Sequence, residues 1–394
     1  MRLGQKLNDA IMIITMTKKD AIKKVVTERC SNFELLRIIS MVMIIVSHYS
    51  VHNGVPNVSL PLGFNRFALE FANLGKIGVV IFMLISGYFL GKSEKSLKIS
   101  RLLKTVLQVL FYSVAIFVVF LLLHKTEPSF GNIQQTFLPI TFKAYWFVTA
   151  YMMIYLFHPF INKFLSSLSR RSYLTFIYMG CFFFLIIRTI TKQDLYMGEV
   201  GAFLLYYAIG NYFRVYKDNF FAKKKHSVIV LIVSVISVVI TIIAMDLIGT
   251  WRNNTEIGGH SSFLLTMNGS FAAMIIAVCI FALVGYAKQF TSKTVNMLAS
   301  VTFGIYLIHD NNLVRGVIWS DIFHNANFVN SKWLLPHMFG TIVAVFVVCG
   351  LVEFIRKNTL ERLYDACIAA RIDTLQDKLG KKMLRKVPEE EKCA

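Results

Sequence analysis

Hydrophobic residues along this chain fall into long runs separated by short polar segments. Ten of these runs approach or exceed the roughly 20 residues that a helix needs to cross a bilayer core. They lack the alternation of apolar and polar positions that is typical of membrane β-strands, so the pattern predicts helices. The predicted spans cover residues 34–52, 70–91, 103–123, 144–165, 173–191, 196–215, 227–248, 261–286, 297–322 and 334–356.

The composition of the 394-residue chain agrees with a membrane protein. Hydrophobic residues make up 56% and charged residues 16%, whereas soluble domains carry about 25% charged residues. The net charge of +20 could suggest nucleic-acid binding, but that class needs a charged, solvated surface around a modest core. We therefore predict an all-α fold, a polytopic membrane helical bundle of about ten transmembrane helices, with no nucleic-acid partner.

The basic residues predict the orientation of this bundle. Of the 42 Lys and Arg residues, 32 fall on one side of the predicted spans and eight on the other, while Arg37 and Lys76 lie within spans. Because cytoplasmic loops carry the excess of Lys and Arg, both termini are predicted to be cytoplasmic, in a multi-pass protein of the plasma membrane. The predicted organisation is a basic N-terminal segment (1–33), a ten-span membrane domain (34–356) and a charged tail beside anionic lipid (357–394).

The first span contains two ionisable residues, and such residues within a membrane are candidates for function. Arg37 and His48 are eleven residues apart, which on a helix is three turns plus about 20°, so their side chains share one face, roughly 16 Å apart. The alternative is that Arg37 only extends its charge to the interface and His48 only caps the helix. Their shared face favours function.

These two residues carry a family resemblance. The spacing of Arg37 and His48 resembles the Arg-x10-His signature of the acyltransferase-3 family of membrane O-acyltransferases. Further segments resemble that family in the expected order, and together they cover roughly residues 32–356. They are Ser86-Gly87-Tyr88 at the end of span 2, Lys98-Ile-Ser-Arg101 in the basic loop, where the family shows Arg-x-x-Arg, Tyr145-Trp146-Phe147-Val148 in span 4, and Phe303 to His309 in span 9.

The resemblance implies transfer of an acyl group, usually acetyl, from cytoplasmic acyl-CoA to a glycan hydroxyl. Cationic side chains at the inner mouth could bind the phosphates of acetyl-CoA, the co-substrate; the candidates are Arg37, Lys98, Arg101 and Lys104. Lysine at position 98 cannot reproduce the bidentate fork of arginine. His48 could act as general base on the acceptor, or carry the acyl group itself. Residues alone do not choose between these routes.

Other polar groups within spans are secondary candidates. Glu70 begins span 2 at the depth of His48, so it could orient or charge-balance that histidine, although it could also be a solvated helix end. Tyr145 and Trp146 could stack on a sugar or could form an interfacial belt. His309, near the outer end of span 9, could bind the acceptor or make a structural hydrogen bond.

Two further functional classes were weighed against the sequence. A transporter or flippase that exports a polysaccharide would also have many spans with buried charge, but its expected matching breaks in two halves of the chain are not seen. Metal and nucleotide-hydrolysis chemistry have no supporting motif, so no metal and no tightly bound cofactor are predicted. The sequence identifies neither the acceptor glycan nor the acyl chain.

Overall fold

The computed structural model describes residues 30–52, 61–91, 97–191, 198–254, 257, 259–266 and 269–384. Most of the basic segment 1–33 and the end of the tail lie outside these ranges. Within them the protein is helical and contains no β-strand, which confirms the predicted all-α class.

The helices run in chain order as follows. The first eight are α1 (Ser31–Val51), α2 (Phe64–Phe71), α3 (Gly75–Leu90), α4 (Ile99–Leu122), α5 (Phe130–Phe137), α6 (Trp146–Ser167), α7 (Arg170–Thr191, with a π-helical turn at Phe182–Ile186) and α8 (Gly198–Val215). The others are α9 (Lys224–Trp251), α10 (Phe263–Thr266), α11 (Phe271–Gly285), α12 (Lys293–Ser300), α13 (Thr302–His309), α14 (Asn312–Gly316, continued by a π-helical turn to Ile322), α15 (Leu334–Arg356) and α16 (Ala370–Leu384).

Helices overlap all ten predicted spans. In the described part of the chain, six helical segments are long and apolar enough to cross a membrane; they begin at Ser31, Phe64, Ile99, Arg170, Lys224 and Leu334. The protein is therefore a membrane protein, while the count of ten spans and the cytoplasmic termini stay predictions.

Three predicted spans are not single straight helices. The second is broken between Phe71 and Gly75, and the eighth between Thr266 and Phe271, next to Gly269 with its positive φ of 75°. The ninth is divided into α12, α13 and α14. The break after His309 is built by Asn311, whose side chain accepts a hydrogen bond from the backbone N–H of Leu313 and so caps the next helix.

Small residues let the central helices approach closely. Helix α3 packs against both α1 and α8. A Cβ atom at Gly87 would collide with the backbone of Tyr207, and one at Gly210 would collide with the backbone of Leu84. A glycine on each helix therefore allows the backbones of α3 and α8 to come into contact, as small residues commonly do between membrane helices.

The start of α1 is fixed by hydrogen bonds to the end of α11, to the loop that follows it and to the first turn of α12. Ser31 Oγ donates to Asn296 Oδ1 (2.8 Å) and accepts from the backbone N–H of Ser292 (2.8 Å). Asn32 donates to the carbonyl of Val284 (3.0 Å) and accepts from the N–H of Phe290 (3.1 Å). These bonds satisfy polar groups that would otherwise be costly in an apolar setting, and they set the depth of the helix that carries Arg37 and His48.

Candidate active site

A cavity of about 430 Å³ lies between α1, α3, α6 and the α13–α14 break. Its wall is apolar over most of its area and includes Met41, Phe82 and Phe147. The ionisable groups that line it are His48, His52, Lys76, Asp310 and Arg315. A mostly apolar cavity with a few converging polar groups is the usual form of a small-molecule site.

His48 is hydrogen-bonded to a second histidine at the edge of this cavity. Its Nδ1 lies 3.0 Å from Nε2 of His309, and Nδ1 of His309 lies 2.6 Å from the carbonyl oxygen of Ile305. A carbonyl oxygen only accepts, so Nδ1 of His309 carries a proton and, in the neutral ring, Nε2 accepts. His48 therefore donates from Nδ1, and its Nε2 has a free lone pair.

A carboxylate lies beside His48 and His52, the residue that follows α1. Asp310 Oδ1 is 3.6 Å from Nδ1 of His48 and 3.8 Å from Nε2 of His52, and the side chain of Asp310 is buried. Arg315 donates to the same oxygen from Nε (3.0 Å) and Nη2 (2.8 Å). This ion pair supplies a negative charge near His48 without leaving a buried carboxylate unpaired.

Residues 31–353 match the sequence profile of a protein family described as an acyltransferase domain, Acyl_transf_3. The chain belongs to the acyltransferase-3 family. It is therefore a membrane acyltransferase, and the resemblance carried by Arg37 and His48 is confirmed. Neither a curated protein nor a solved structure matches the chain.

The structure places the two central predicted residues of this acyltransferase on one unbroken helix. His48 lines the cavity near the end of α1. Arg37 lies three turns earlier, where Nη1 donates to Glu34 Oε1 at 2.6 Å. A guanidinium has five N–H donors, so the bond to Glu34 leaves other donors for a ligand.

Tyr151 of α6 lies between Arg37 and the predicted basic cluster. Its hydroxyl is near the guanidinium groups of both Arg37 and Arg101 and beside Ser86. The ring stacks 6.1 Å from that of Phe147, a cavity residue, and 6.2 Å from that of Tyr155. An aromatic row on one face of α6 therefore leads from the cavity to the beginning of α4.

The predicted basic cluster is divided in the structure. Arg101 interacts with Tyr155, and the exposed Lys98 accepts a bond from Tyr155 through its carbonyl oxygen at 3.5 Å. Lys104 instead forms ion pairs with Glu361 and Asp365, both at 2.9 Å, in the segment that follows α15. Two carboxylates compensate its charge, so the structure does not favour Lys104 as a phosphate ligand.

Glu70 does not lie where we expected it. It accepts a bond from Arg66 (3.1 Å), which also binds Asp246 of α9 (2.6 Å), so its contacts link α2 to α9. Glu70 does not line the cavity, whose wall takes residues of span 2 from Asn73 onward. Asp310, and not Glu70, is the carboxylate beside His48.

The three predicted acceptor residues occupy different positions. Trp146 forms part of the cavity wall. Tyr145 is buried behind it, where its hydroxyl donates to the carbonyl of Leu307 (3.0 Å) and accepts from Asn311 (2.8 Å). His309 is fully buried and supports His48, so the geometry favours structural roles for Tyr145 and His309.

Sequence reasoning missed the roles of His52, Lys76 and Arg315. His52 follows His48 by four residues, and residues with this spacing are neighbours on a helix. That spacing could have indicated that His52 lies beside His48. The charge of Lys76 within a span was the signal for that residue.

One group of side chains could hold a metal ion. His48, His52 and Asp310 each bring a ligand atom within 4.8 Å of the others. A sequence search for paired ligands could not find this group, since it joins residues more than 250 positions apart. His309 and Arg315 already bind the same atoms of His48 and Asp310, so the described contacts favour protein hydrogen bonds over a metal.

Proposed function

We propose that this protein is an O-acyltransferase that moves an acyl group, acetyl, from cytoplasmic acyl-CoA to a hydroxyl of a cell-surface or lipid-linked glycan. The observation that supports it most directly is the pairing of His48 with His309. Because His48 donates from Nδ1 to His309, the lone pair of its Nε2 remains available on the wall of a mostly apolar cavity. A general base needs such a lone pair within reach of the proton that it removes.

In this proposal His48 acts as the general base. Its Nε2 takes the proton of the acceptor hydroxyl while the hydroxyl oxygen attacks the thioester carbonyl. The resulting tetrahedral intermediate then collapses with cleavage of the C–S bond, and the CoA thiolate leaves with the proton returned by His48. Asp310 lies 3.6 Å from Nδ1 and stabilises the imidazolium that forms between these steps, as an adjacent carboxylate does in other His-based sites.

Direct transfer is preferred here to an acyl-histidine. A single cavity of about 430 Å³ is large enough for the thioester end of the donor and a sugar hydroxyl to meet. No covalent carrier is then needed. Trapping of an acyl group on His48 after brief incubation with acyl-CoA alone would contradict this part of the proposal.

The donor is proposed to enter along the aromatic row of α6. Arg37 and Arg101 both interact with Tyr151, so both lie near the path between the cytoplasmic end of α4 and the cavity. A guanidinium binds phosphate oxygens in a bidentate manner, and the methylene groups of the pantetheine arm can pack on the rings of Tyr151 and Phe147. The predicted orientation places this end of the bundle at the cytoplasm, where acyl-CoA is available.

The test compares ester-linked acyl groups on surface glycans from cells that carry the wild-type gene, His48→Ala or His226→Ala. His226 is the matched control because it stacks on Phe220 at the start of α9, away from the cavity. We expect His48→Ala to abolish acylation with normal amounts of protein in the membrane, and His226→Ala to retain it. Normal acylation with His48→Ala would refute the proposal, and loss of glycan export instead of acylation would favour the transporter.

A further inference from the structure

Lys76 brings an ammonium group into predicted span 2, and among the described residues no carboxylate lies within ion-pair distance of it. It lies in the first turn of α3, half-buried, and lines the same cavity as His48. Its Nζ lies 4.4 Å from the ring centroid of Trp146, a cation–π contact. Among the described residues no hydrogen bond or ion pair to this ammonium is found, although an unpaired charge in a membrane protein is costly and commonly functional.

The neighbouring charges do not neutralise Lys76. In the main cavity, Asp310 is the carboxylate, and Arg315 already binds it through two N–H groups. A small adjoining cavity of about 20 Å³ adds one charge of each sign, Arg188 and Glu199, and so does not change the net charge. With the histidines neutral, these described residues leave one positive charge in excess, and the Lys76 ammonium, which lies over the Trp146 ring, has no carboxylate of its own among them.

The beginning of α3 adds to the positive potential at this point. Gly75 lines the cavity next to Lys76, and a Cβ atom at Gly75 would lie 2.8 Å from Cβ of Ser47. This close approach brings the N-terminal end of α3 against the residue that precedes His48. The first N–H groups of a helix favour a nearby anion, so the helix start and the ammonium act in the same direction.

We infer that Lys76 binds an anionic group of the acceptor, a carboxylate or a phosphate, close to the hydroxyl that receives the acyl group. This inference rests on the proposed function and names the chemical class of its acceptor: an acidic glycan or a phosphate-containing polymer. The Trp146 face holds the ammonium by a cation–π contact while leaving its N–H donors available to the ligand. The apolar wall strengthens the attraction because it keeps water away.

Binding can be measured without acyl transfer, which separates this inference from the proposed function. Thermal stabilisation of the purified protein in detergent is titrated with glucose, glucuronate and glucose 1-phosphate, and separately with CoA. We expect one or both anionic sugars to bind wild type about tenfold or more tightly than glucose, as a charge-assisted hydrogen bond allows. Preference for glucuronate would indicate an acidic sugar, and preference for glucose 1-phosphate a phosphate-containing acceptor.

The variants Lys76→Met and Lys76→Gln should lose this preference and bind CoA as wild type does. Lys332→Met is the matched control, since Lys332 also lies over a tryptophan, Trp333, at 5.9 Å, but does not line the cavity. The control should keep the preference. Equal binding of all three sugars to wild type would overturn the inference. So would an unchanged preference in the Lys76 variants, or a loss of CoA binding that assigned Lys76 to the donor.

Discussion

Nδ1 of His48 lies 3.0 Å from Nε2 of His309, a contact that joins the ends of α1 and α13 across 261 positions of the sequence. The bond from His309 to the carbonyl of Ile305 fixes the proton on the far side of that ring. His309 therefore works as a positioning residue, which selects the tautomer of His48 without lining the cavity itself.

Replacing His309 should lower the rate of transfer without affecting donor binding. We expect His309→Ala to reduce kcat about 10- to 100-fold, the equivalent of the roughly 1.5–3 kcal/mol that a hydrogen bond to a charged group contributes, with KM for acetyl-CoA unchanged. His309→Gln retains an acceptor for the N–H of His48 and should keep more activity than His309→Ala. The check is steady-state kinetics on the reconstituted protein, and equal loss in the two variants would argue against selection of the tautomer.

The basic cluster offers a matched pair for testing the donor site. Arg101 interacts with the tyrosines of the aromatic row, whereas two carboxylates hold Lys104. We therefore expect Arg101→Ala to raise KM for acetyl-CoA about tenfold, because it loses charge-assisted phosphate contacts. Lys104→Ala should leave KM nearly unchanged and lower thermal stability slightly. A larger effect on KM from Lys104 than from Arg101 would reverse the assignment.

The sequence predicted the membrane bundle well because its signal is local. Each helix satisfies its own backbone in an apolar medium, so a long apolar run is sufficient to indicate α1 or α9. The breaks were harder to predict. They depend on side chains such as Asn311, which caps α14, and on packing between neighbours such as Gly75 and Ser47.

The candidate site was predicted only in part for the same reason. Arg37 and His48 share one helix, so their spacing alone placed them on one face. Asp310 and Lys76 line the same cavity as His48 but come from other parts of the chain. A sequence does not give the distance between such parts. Glu70 was predicted to lie beside His48 because the two residues have similar depths in the membrane. Depth does not specify the direction in which a side chain points, and Glu70 contacts Arg66.

Removal of metal ions should not affect transfer. A cation at His48, His52 and Asp310 would have to displace the hydrogen bond to His309 and the two bonds from Arg315. We expect protein that was dialysed against a chelator to keep its acyl-transfer rate within about twofold, since each of those bonds involves a charged or buried group and is worth about 1–3 kcal/mol. Loss of activity that added zinc restores would show that the three residues are ligands instead.

The close contact between α1 and α3 should make activity sensitive to one methyl group. A Cβ atom at Gly75 would lie 2.8 Å from Cβ of Ser47, so Gly75→Ala pushes His48 away from the start of α3, at a cost of about 1–3 kcal/mol in stability for such overpacking. Gly340→Ala is the matched control, because Gly340 lies within α15 and a Cβ there would meet no atom within 4 Å. We expect Gly75→Ala to lose most transfer activity and Gly340→Ala to keep it. The double variant Gly75→Ala with Ser47→Gly should recover part of the activity. Transfer rate and thermal unfolding are the measurements. Failure of Ser47→Gly to restore any activity would show that Gly75 is required for a reason other than this contact.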